Sequence, residues 1–219
     1  MTIISLKLYH YPLSRSLRVK WLLHEIFGDG FEVEKMALMQ GAQHSADFLA
    51  KNPNHAVPVL DVTYNDGTEQ TLFESGAMMV WLADAYPKLA LAPALDDLAA
   101  RGDYLQMMHF GGSWMDMMLW QIRLNETLLP KPIRSEHHAQ FNRDKIQNEV
   151  VPQLTARLEK HEFICGDTFT AADIMTCYNI GWARGYGLCM EEPLRQYRSR
   201  LSKREGFIKA YADASEFEK

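Results

Sequence analysis

The proline at position 58 interrupts a run of apolar residues and limits where this segment can lie in a sheet. Residues 52–61 read Asn-Pro-Asn-His-Ala-Val-Pro-Val-Leu-Asp, which would otherwise predict a buried strand. Pro58 has no N–H to donate, so it must lie at a strand start or at an edge. A cis Val57–Pro58 bond would turn the N–H and C=O of Val57 outward, where an extended peptide could pair with them.

The first part of the chain combines strand and helix patterns. Residues 3–9 predict a buried strand, and the apolar spacing at positions 19, 22, 23 and 26 predicts a helix after it. Short strands are predicted at 31–34, 57–60 and 72–73, the last two flanking the turn Asn65-Asp66-Gly67. Ser75 can cap a helix that reaches Tyr86. The pattern therefore predicts a small α+β domain.

Helical periodicity dominates from about Asp96 onward, without a convincing strand. Pro87 and Pro93 bracket a short connecting segment. We therefore predict one domain over 1–86, a linker over 87–95 and an all-α domain over 96–219. Within the second domain, Thr170 and Asp173 have the spacing of a capping box. Loss of a cap typically costs about 1 kcal/mol, so Asp173→Ala should lower stability.

Composition excludes several classes of function. The 219 residues carry a net charge of −5, which gives no field to attract nucleic acid. No apolar run reaches the roughly 18 residues of a membrane span, and no leader-like order opens the chain, so we expect a cytoplasmic protein without a membrane partner. The three cysteines, Cys165, Cys177 and Cys189, form no CxxC pair. No disulfide framework and no metal site are expected.

Three segments together resemble the cytosolic glutathione transferase superfamily. They are the proline segment 52–61, the stretch from Phe73 to Pro87 that contains Glu74-Ser75, and the segment Gly166–Ile174 around the capping box. The resemblance implies an N-terminal thioredoxin-like domain (βαβ–ββα) followed by an all-α helical bundle. It also implies a homodimer that uses glutathione as a co-substrate, without a metal, and a small hydrophobic electrophile as the second substrate.

The resemblance places the thiol-activating group in the loop after the first strand. Ser14 precedes Arg18 by four residues, as the catalytic serine does in the serine-type classes, so we rank it first. Tyr9 matches the tyrosine of the tyrosine-type classes, with Arg15 where those classes often carry a thiolate-supporting arginine. Ser16 is a third choice. The alternative is that the serines only cap the first helix and Tyr9 packs in the sheet.

The remaining contacts to glutathione follow from the same resemblance. Val57 and Pro58 would hold its peptide backbone. Ser75, at a helix start, would bind the γ-glutamyl carboxylate, which the helix dipole also attracts. Glu74 would pair with the ammonium group of the same residue.

The glycyl end of glutathione has weaker candidates. Gln43 is the closest match to the family's position, followed by His44 and His55, which taken alone are surface histidines. Many family members have a lysine before the valine-proline pair, where this chain has Ala56. This chain therefore has no basic side chain at that position.

The activity expected from these residues is conjugation of glutathione to hydrophobic electrophiles, with organic peroxides as further substrates. The loop has no cysteine, which counts against classes that form a mixed disulfide through their own thiol. Two alternatives stay open: a non-catalytic binding module, and a glutathione-dependent disulfide reductase. The methionine- and aromatic-rich residues 107–120 would supply the electrophile pocket, although their helical spacing favours a bundle core or dimer face.

Overall fold

The computed structural model describes residues 2–217. By packing, the chain divides into two compact units. One contains the residues up to 89 together with those from 203 onward, and the other contains residues 90–202. None of the helices within the described residues combines the length and hydrophobicity that a membrane crossing needs.

The first unit is built on a four-stranded mixed sheet. Its elements in chain order are β1 (Ile3–His10), α1 (Ser16–Phe27), β2 (Glu32–Lys35), α2 (Ala46–Lys51), β3 (Val59–Tyr64), β4 (Glu69–Phe73) and α3 (Ser75–Ala85). The strand order is β2-β1-β3-β4, in which β1 and β2 are parallel and the other pairs antiparallel. This is the predicted thioredoxin-like arrangement, βαβ followed by ββα.

Two local details differ from the sequence pattern. The strand predicted at residues 57–60 begins at Val59 and runs to Tyr64, so Pro58 lies just before the strand, as its missing N–H requires. The short helix α2 was not predicted. It has six residues and buries only Phe48, which leaves no apolar periodicity to detect, while Ser45 caps it by accepting the Phe48 N–H at 3.3 Å.

Strand register brings three separate segments to one edge of the sheet. Tyr9 pairs with Val59 across antiparallel strands, so the end of β1 lies beside the start of β3. Val59 pairs in turn with Phe73, so the end of β4 lies there too. The loop after β1, the residues before β3 and the start of α3 therefore meet at the same edge.

The last described residues pack on α1. Helix α10 (Glu205–Ala210) approaches α1 so closely that a Cβ at Gly206 would lie 2.8 Å from Oε1 of Glu25. Arg204 donates to both carboxylate oxygens of Glu25, at 2.9 and 2.8 Å. The rings of Trp21 and Phe207 meet edge to face at 5.0 Å. Residues from 203 onward thus go with the first unit by packing, although their sequence pattern assigned them to the helical domain.

The second unit is helical throughout, as predicted. Its helices are α4 (Leu98–His109), α5 (Asp116–Arg123), α6 (Glu136–Lys145), α7 (Val151–Leu158), α8 (Ala171–Arg184) and α9 (Glu192–Leu201). π-helical turns join α4 to α5 (Phe110–Met115) and α6 to α7 (Ile146–Val150). At the first of these turns, Gly111 lies against Met175 of α8, where a Cβ would come within 2.5 Å of Cγ.

The predicted capping box at the start of α8 is present, and it is part of a larger network. Asp173 is fully buried. Its carboxylate accepts the Thr170 N–H at 2.8 Å, the Ile164 N–H at 2.8 Å and the Tyr197 hydroxyl at 2.7 Å. Asp173 therefore joins a loop, the N-terminus of α8 and a residue of α9.

Candidate functional site

The loop before β3 presents unpaired backbone. The Val57–Pro58 bond is cis, and within residues 2–217 neither the N–H nor the C=O of Val57 has a hydrogen-bond partner. The side chain of Asn52 fixes this loop through two hydrogen bonds. Its Nδ2 donates to the Ala56 carbonyl at 2.8 Å, and its Oδ1 accepts the Asn54 N–H at 3.0 Å. The sequence reasoning missed this role of Asn52. An extended peptide could bind to the exposed pair of groups on Val57.

The start of α3 presents a carboxylate and a hydroxyl. Glu74 has a φ of 74°, a backbone conformation uncommon for residues other than glycine, and it is exposed. Its carboxylate makes no hydrogen bond or ion pair among the residues that the structure describes. Ser75 follows as the first residue of the helix and is buried.

Ser75 is held by a buried arginine. Nε of Arg18 donates to Oγ of Ser75 at 2.9 Å, and Arg18 is only 3% exposed. Because Oγ accepts this bond, the Ser75 hydroxyl proton is not used in it and can be donated elsewhere. The guanidinium adds positive charge at a helix N-terminus. Arg18 entered the sequence reasoning only as a family marker, but an arginine one turn from Leu22 on an apolar helix face already implies a buried partner.

Ser14 and Ser16 lie together after β1. Their Oγ atoms are 2.7 Å apart. Ser14 is half-buried, donates to the Tyr11 carbonyl at 2.8 Å and accepts the Ser16 N–H at 3.3 Å, so it also has the capping contact that the sequence allowed. Ser16 is wholly buried, and its Oγ accepts the Tyr11 N–H at 3.1 Å. Arg15, between them, is half-buried. Of the two serines, only Ser14 is accessible to a ligand.

Tyr9 faces the other side of the sheet. Alternate residues of a strand point to opposite faces. His10 contacts Ser16 before α1, whereas the ring of Tyr9 meets Phe48 of α2 edge to face at 5.8 Å. The Tyr9 hydroxyl donates to Oδ2 of Asp61 at 3.1 Å. Asp61 pairs with Lys7 in the register, so this hydroxyl points back along β1, away from the loop that follows it.

The acidity of Tyr9 is low for a thiol-activating group. Burial, followed by the charge of Asp61, raises the pKa of Tyr9 above its ordinary value. The ring lines a cavity of about 540 Å³ together with Phe48 and Lys51, on the α2 side of the sheet. The packing alternative for Tyr9 is thus present in the structure.

Of the three candidates for the glycyl end of glutathione, His44 and His55 lie next to each other. The rings of His44 and His55 have centroids 5.0 Å apart, and both residues are exposed. Gln43 lies in the single turn Ala42–His44, and its Oε1 is buried without a hydrogen-bond partner in the described residues. That oxygen is an unsatisfied acceptor, but it is not exposed to a ligand in this arrangement.

The thiols of the three cysteines have low reactivity near neutral pH. Burial raises the pKa of Cys165, Cys177 and Cys189 to about 12 in each case. Within residues 2–217, no cluster of three or more histidine, cysteine or acidic side chains could hold a metal ion. The thiolate form of each cysteine is therefore negligible near neutral pH.

We predict that iodoacetamide near neutral pH leaves the folded protein unmodified over a time in which the urea-unfolded chain reacts at all three cysteines. Mass spectrometry of the intact protein measures this. The unfolded sample is the control for reagent strength. Rapid alkylation of any cysteine in the folded protein would contradict the raised pKa of its thiol.

Two family models match the chain: the glutathione S-transferase N-terminal domain over residues 4–84, and the glutathione S-transferase C-terminal domain over residues 119–205. The chain belongs to the glutathione S-transferase family. Glutathione S-transferase 3 of Zea mays is 33% identical to this transferase over 175 residues, 77% of this chain and 73% of the maize protein. Disulfide-bond oxidoreductase YfcG of Escherichia coli is 26% identical over 203 residues, 90% of each protein.

Among solved structures, a sphingomonad glutathione S-transferase complexed with glutathione is 25% identical to this transferase. It superposes with a TM-score of 0.79 over 95% of this chain and 98% of that chain. The comparison supports the two-part fold of this transferase. The assignment of individual site residues, including the choice among Ser14, Ser16 and Tyr9, stays a prediction.

Proposed function

We propose that this transferase binds glutathione at the sheet edge where β1, β3 and β4 bring their ends together, and that Ser14 ionises its thiol. The thiolate then attacks a small hydrophobic electrophile, and organic peroxides are further substrates. The observation that supports this most is the strand register, which brings the Ser14 loop, the unpaired Val57 backbone and Glu74-Ser75 to one edge.

The groups at this edge match the parts of glutathione. The N–H and C=O of Val57 suit the backbone of its cysteinyl residue, and Pro58 fixes the loop that carries them. Ser75 can donate to the γ-glutamyl carboxylate while it accepts from Arg18. Glu74 supplies the countercharge for the ammonium group. Gln43, with His44 and His55, is proposed for the glycyl end.

Ser14 is the preferred activating group among the three candidates because its hydroxyl is partly exposed and lies in the loop after β1, beside the proposed glutathione site. Ser16 is wholly buried, and the Tyr9 hydroxyl is engaged by Asp61. A free cysteine thiol has a pKa of about 8.5. Lowering it by about two units needs roughly 2.7 kcal/mol of preferential stabilisation of the anion. One or two hydrogen bonds to a charged acceptor can supply this, and Arg15 adds positive potential that favours the thiolate.

Conjugation of glutathione to a generic aromatic halide, and reduction of organic peroxides, test this proposal directly. We expect at least one of these activities, together with retention on immobilised glutathione. The absence of both activities and of retention would overturn it. We further propose a cytoplasmic homodimer. Sedimentation of the purified protein tests the dimer, and cell fractionation tests the location.

Glu74→Gln is expected to weaken glutathione binding roughly tenfold, about 1.4 kcal/mol, because the amide keeps the shape but loses the charge that pairs with the ammonium group. Calorimetry measures the dissociation constant. Glu69→Gln, an exposed residue at the start of β4, is the matched control and should bind as the unmodified protein does. Equal affinity in all three proteins would remove Glu74 from the site.

A second activity, glutathione-dependent disulfide reduction, is favoured by the likeness to the Escherichia coli disulfide-bond oxidoreductase. One glutathione thiolate would attack the disulfide, and a second glutathione would release the product, so that glutathione supplies every attacking sulfur. Turnover of a small glutathione-linked disulfide tests this activity. Glutathione binding without any shift in thiol ionisation would instead favour a non-catalytic binding module.

A further inference from the structure

A line of buried polar groups extends inward from Ser14. Oγ of Ser14 is 2.7 Å from Oγ of Ser16, which is 2.7 Å from Nδ1 of His10. On the other side of the ring, Nε2 of His10 lies 3.3 Å from Oδ2 of Asp213, within ion-pair distance but not aligned as a hydrogen bond. His10 and Ser16 are wholly buried, and Asp213 is 6% exposed. The line thus connects the accessible hydroxyl to an enclosed carboxylate.

The C-terminal segment that carries Asp213 is fixed in place. Lys20 of α1 donates to Oδ2 of Asp213 at 2.7 Å. Lys35 pairs with Glu216 at 2.8 Å, and the ring of Phe217 meets that of Tyr11 at 5.9 Å. The position of Asp213 beside His10 is therefore set by contacts on both sides of it in the sequence.

The resting protonation of this line follows from its surroundings. Burial favours the neutral carboxyl of Asp213, but His10 and Lys20 outweigh it and hold its pKa well below the usual range. Burial lowers the pKa of His10, Asp213 raises it, and Lys20 and Lys35 lower it further. His10 is neutral near pH 7. Its one ring proton is favoured on Nε2, towards the carboxylate, so Nδ1 accepts from the Ser16 hydroxyl.

Counting protons links this line to the thiol. Each of the two 2.7 Å contacts needs a proton between its atoms, because two lone pairs at that distance repel. At rest the Ser16 proton lies towards Nδ1, so the Ser14 proton is the one that fills the contact between the two serine oxygens. When Ser14 turns this proton towards a sulfur, the contact between the serine oxygens must use the Ser16 proton instead. The contact between Ser16 and Nδ1 then needs a proton on the imidazole. Donation by Ser14 thus requires a proton on Nδ1 of His10. A neutral ring that moved its own proton to Nδ1 would turn the Nε2 lone pair towards the Asp213 carboxylate, 3.3 Å away, so the ring that carries both protons is favoured.

We propose that the proton of the glutathione thiol passes through the hydroxyls of Ser14 and Ser16 to Nδ1 of His10, and that Asp213 stabilises the imidazolium that results. This rests on the proposed function. The S–H bond breaks and an N–H bond forms, while each serine releases one proton and receives one. His10 does not touch the thiol, and it acts by positioning and supplying the proton acceptor behind the serines.

The charges around His10 couple this step to the thiolate. Among residues 2–217, Asp213, Lys20 and Lys35 are the charged groups that act on the pKa of the ring, and Lys35 is paired with Glu216. Asp213 and Lys20 together are neutral, so an imidazolium leaves one excess positive charge. A thiolate at Ser14 balances that charge. The imidazolium is therefore favoured only when the thiolate is present.

Nuclear magnetic resonance of the His10 ring in the unmodified protein tests the relay, with glutathione and S-methylglutathione as the two ligands. We expect His10 to be protonated in the glutathione complex at the lowest pH at which the thiolate absorbance is present, where the free protein has a neutral His10. With S-methylglutathione, which has no thiol proton, it should stay neutral. A neutral His10 beside an ionised thiol at that pH would overturn the relay. Failure of both ligands to bind would instead overturn the proposed function, and the relay with it.

Two variants extend the test. In His10→Asn, an amide group can keep a hydrogen bond to Ser16 but cannot take up a proton. We expect at least tenfold less thiolate than in the unmodified protein at a pH below the thiol transition, with unchanged affinity for S-methylglutathione. His24→Asn is the matched control, since His24 is a partly buried histidine of α1 that contacts the Gly28 carbonyl and not the serines. Equal thiolate in both variants would contradict the proposal.

Discussion

Replacement of Ser14 by alanine is expected to raise the pKa of the bound glutathione thiol by about two units and to lower kcat/KM about 100-fold. The hydroxyl is half-buried at the start of α1, and after a rotation away from the Tyr11 carbonyl it can donate to the sulfur. Alanine removes this donor and leaves the other contacts to glutathione in place. The ultraviolet absorbance of the thiolate, followed against pH, measures the shift.

Tyr9→Phe is the matched control for Ser14→Ala. It also removes one hydroxyl near the end of β1, but that hydroxyl is bonded to Asp61 on the opposite face of the sheet. We expect an unchanged thiol pKa in this variant. A shift in Tyr9→Phe without one in Ser14→Ala would assign the tyrosine-type mechanism to this transferase and reject our choice.

Asp173→Ala is expected to lower the free energy of unfolding by about 3 kcal/mol or more. The sequence pattern alone predicts about 1 kcal/mol for a lost cap. The structure raises this expectation because the variant leaves the N–H groups of Thr170 and Ile164 and the hydroxyl of Tyr197 without their acceptor in a buried site. Urea unfolding followed by circular dichroism measures the difference.

Asp167→Ala is the control for the stability prediction. Asp167 lies in the same loop, but its side chain is 82% exposed and only 3.7 Å from His161, a pair that contributes little. We expect its unfolding midpoint to match that of the unmodified protein. A similarly small effect in Asp173→Ala would mean that the buried network is not what stabilises the start of α8.

Local rules were sufficient wherever a single residue imposes a backbone requirement. Pro58 lies just before a strand because it lacks an N–H, and Ser75 begins a helix directly after β4. The capping box at Thr170 and Asp173 was likewise readable from spacing alone. Helix α2 was missed because it is short and buries one residue, so no periodic signal exists.

These local rules do not predict contacts between residues that are far apart in the sequence. Strand alternation places Tyr9 and His10 on opposite faces, but only the packed helices decide that Tyr9 meets α2 while His10 meets the serines. In the same way, nothing near Asp213 in the sequence indicates that it lies against His10. That contact exists because α10 packs on α1.

The amino-acid order by itself determined the fold class, the proline loop and the helix starts, since each depends on hydrogen-bonding groups and apolar spacing within a few residues. Only the tertiary structure decided which hydroxyl is accessible, that Arg18 supports Ser75, and that a buried histidine and carboxylate stand behind Ser14. These arrangements depend on strand register and on the packing of segments nearly 200 residues apart in the sequence. Burial and charge pairing between such segments leave no pattern in the local sequence.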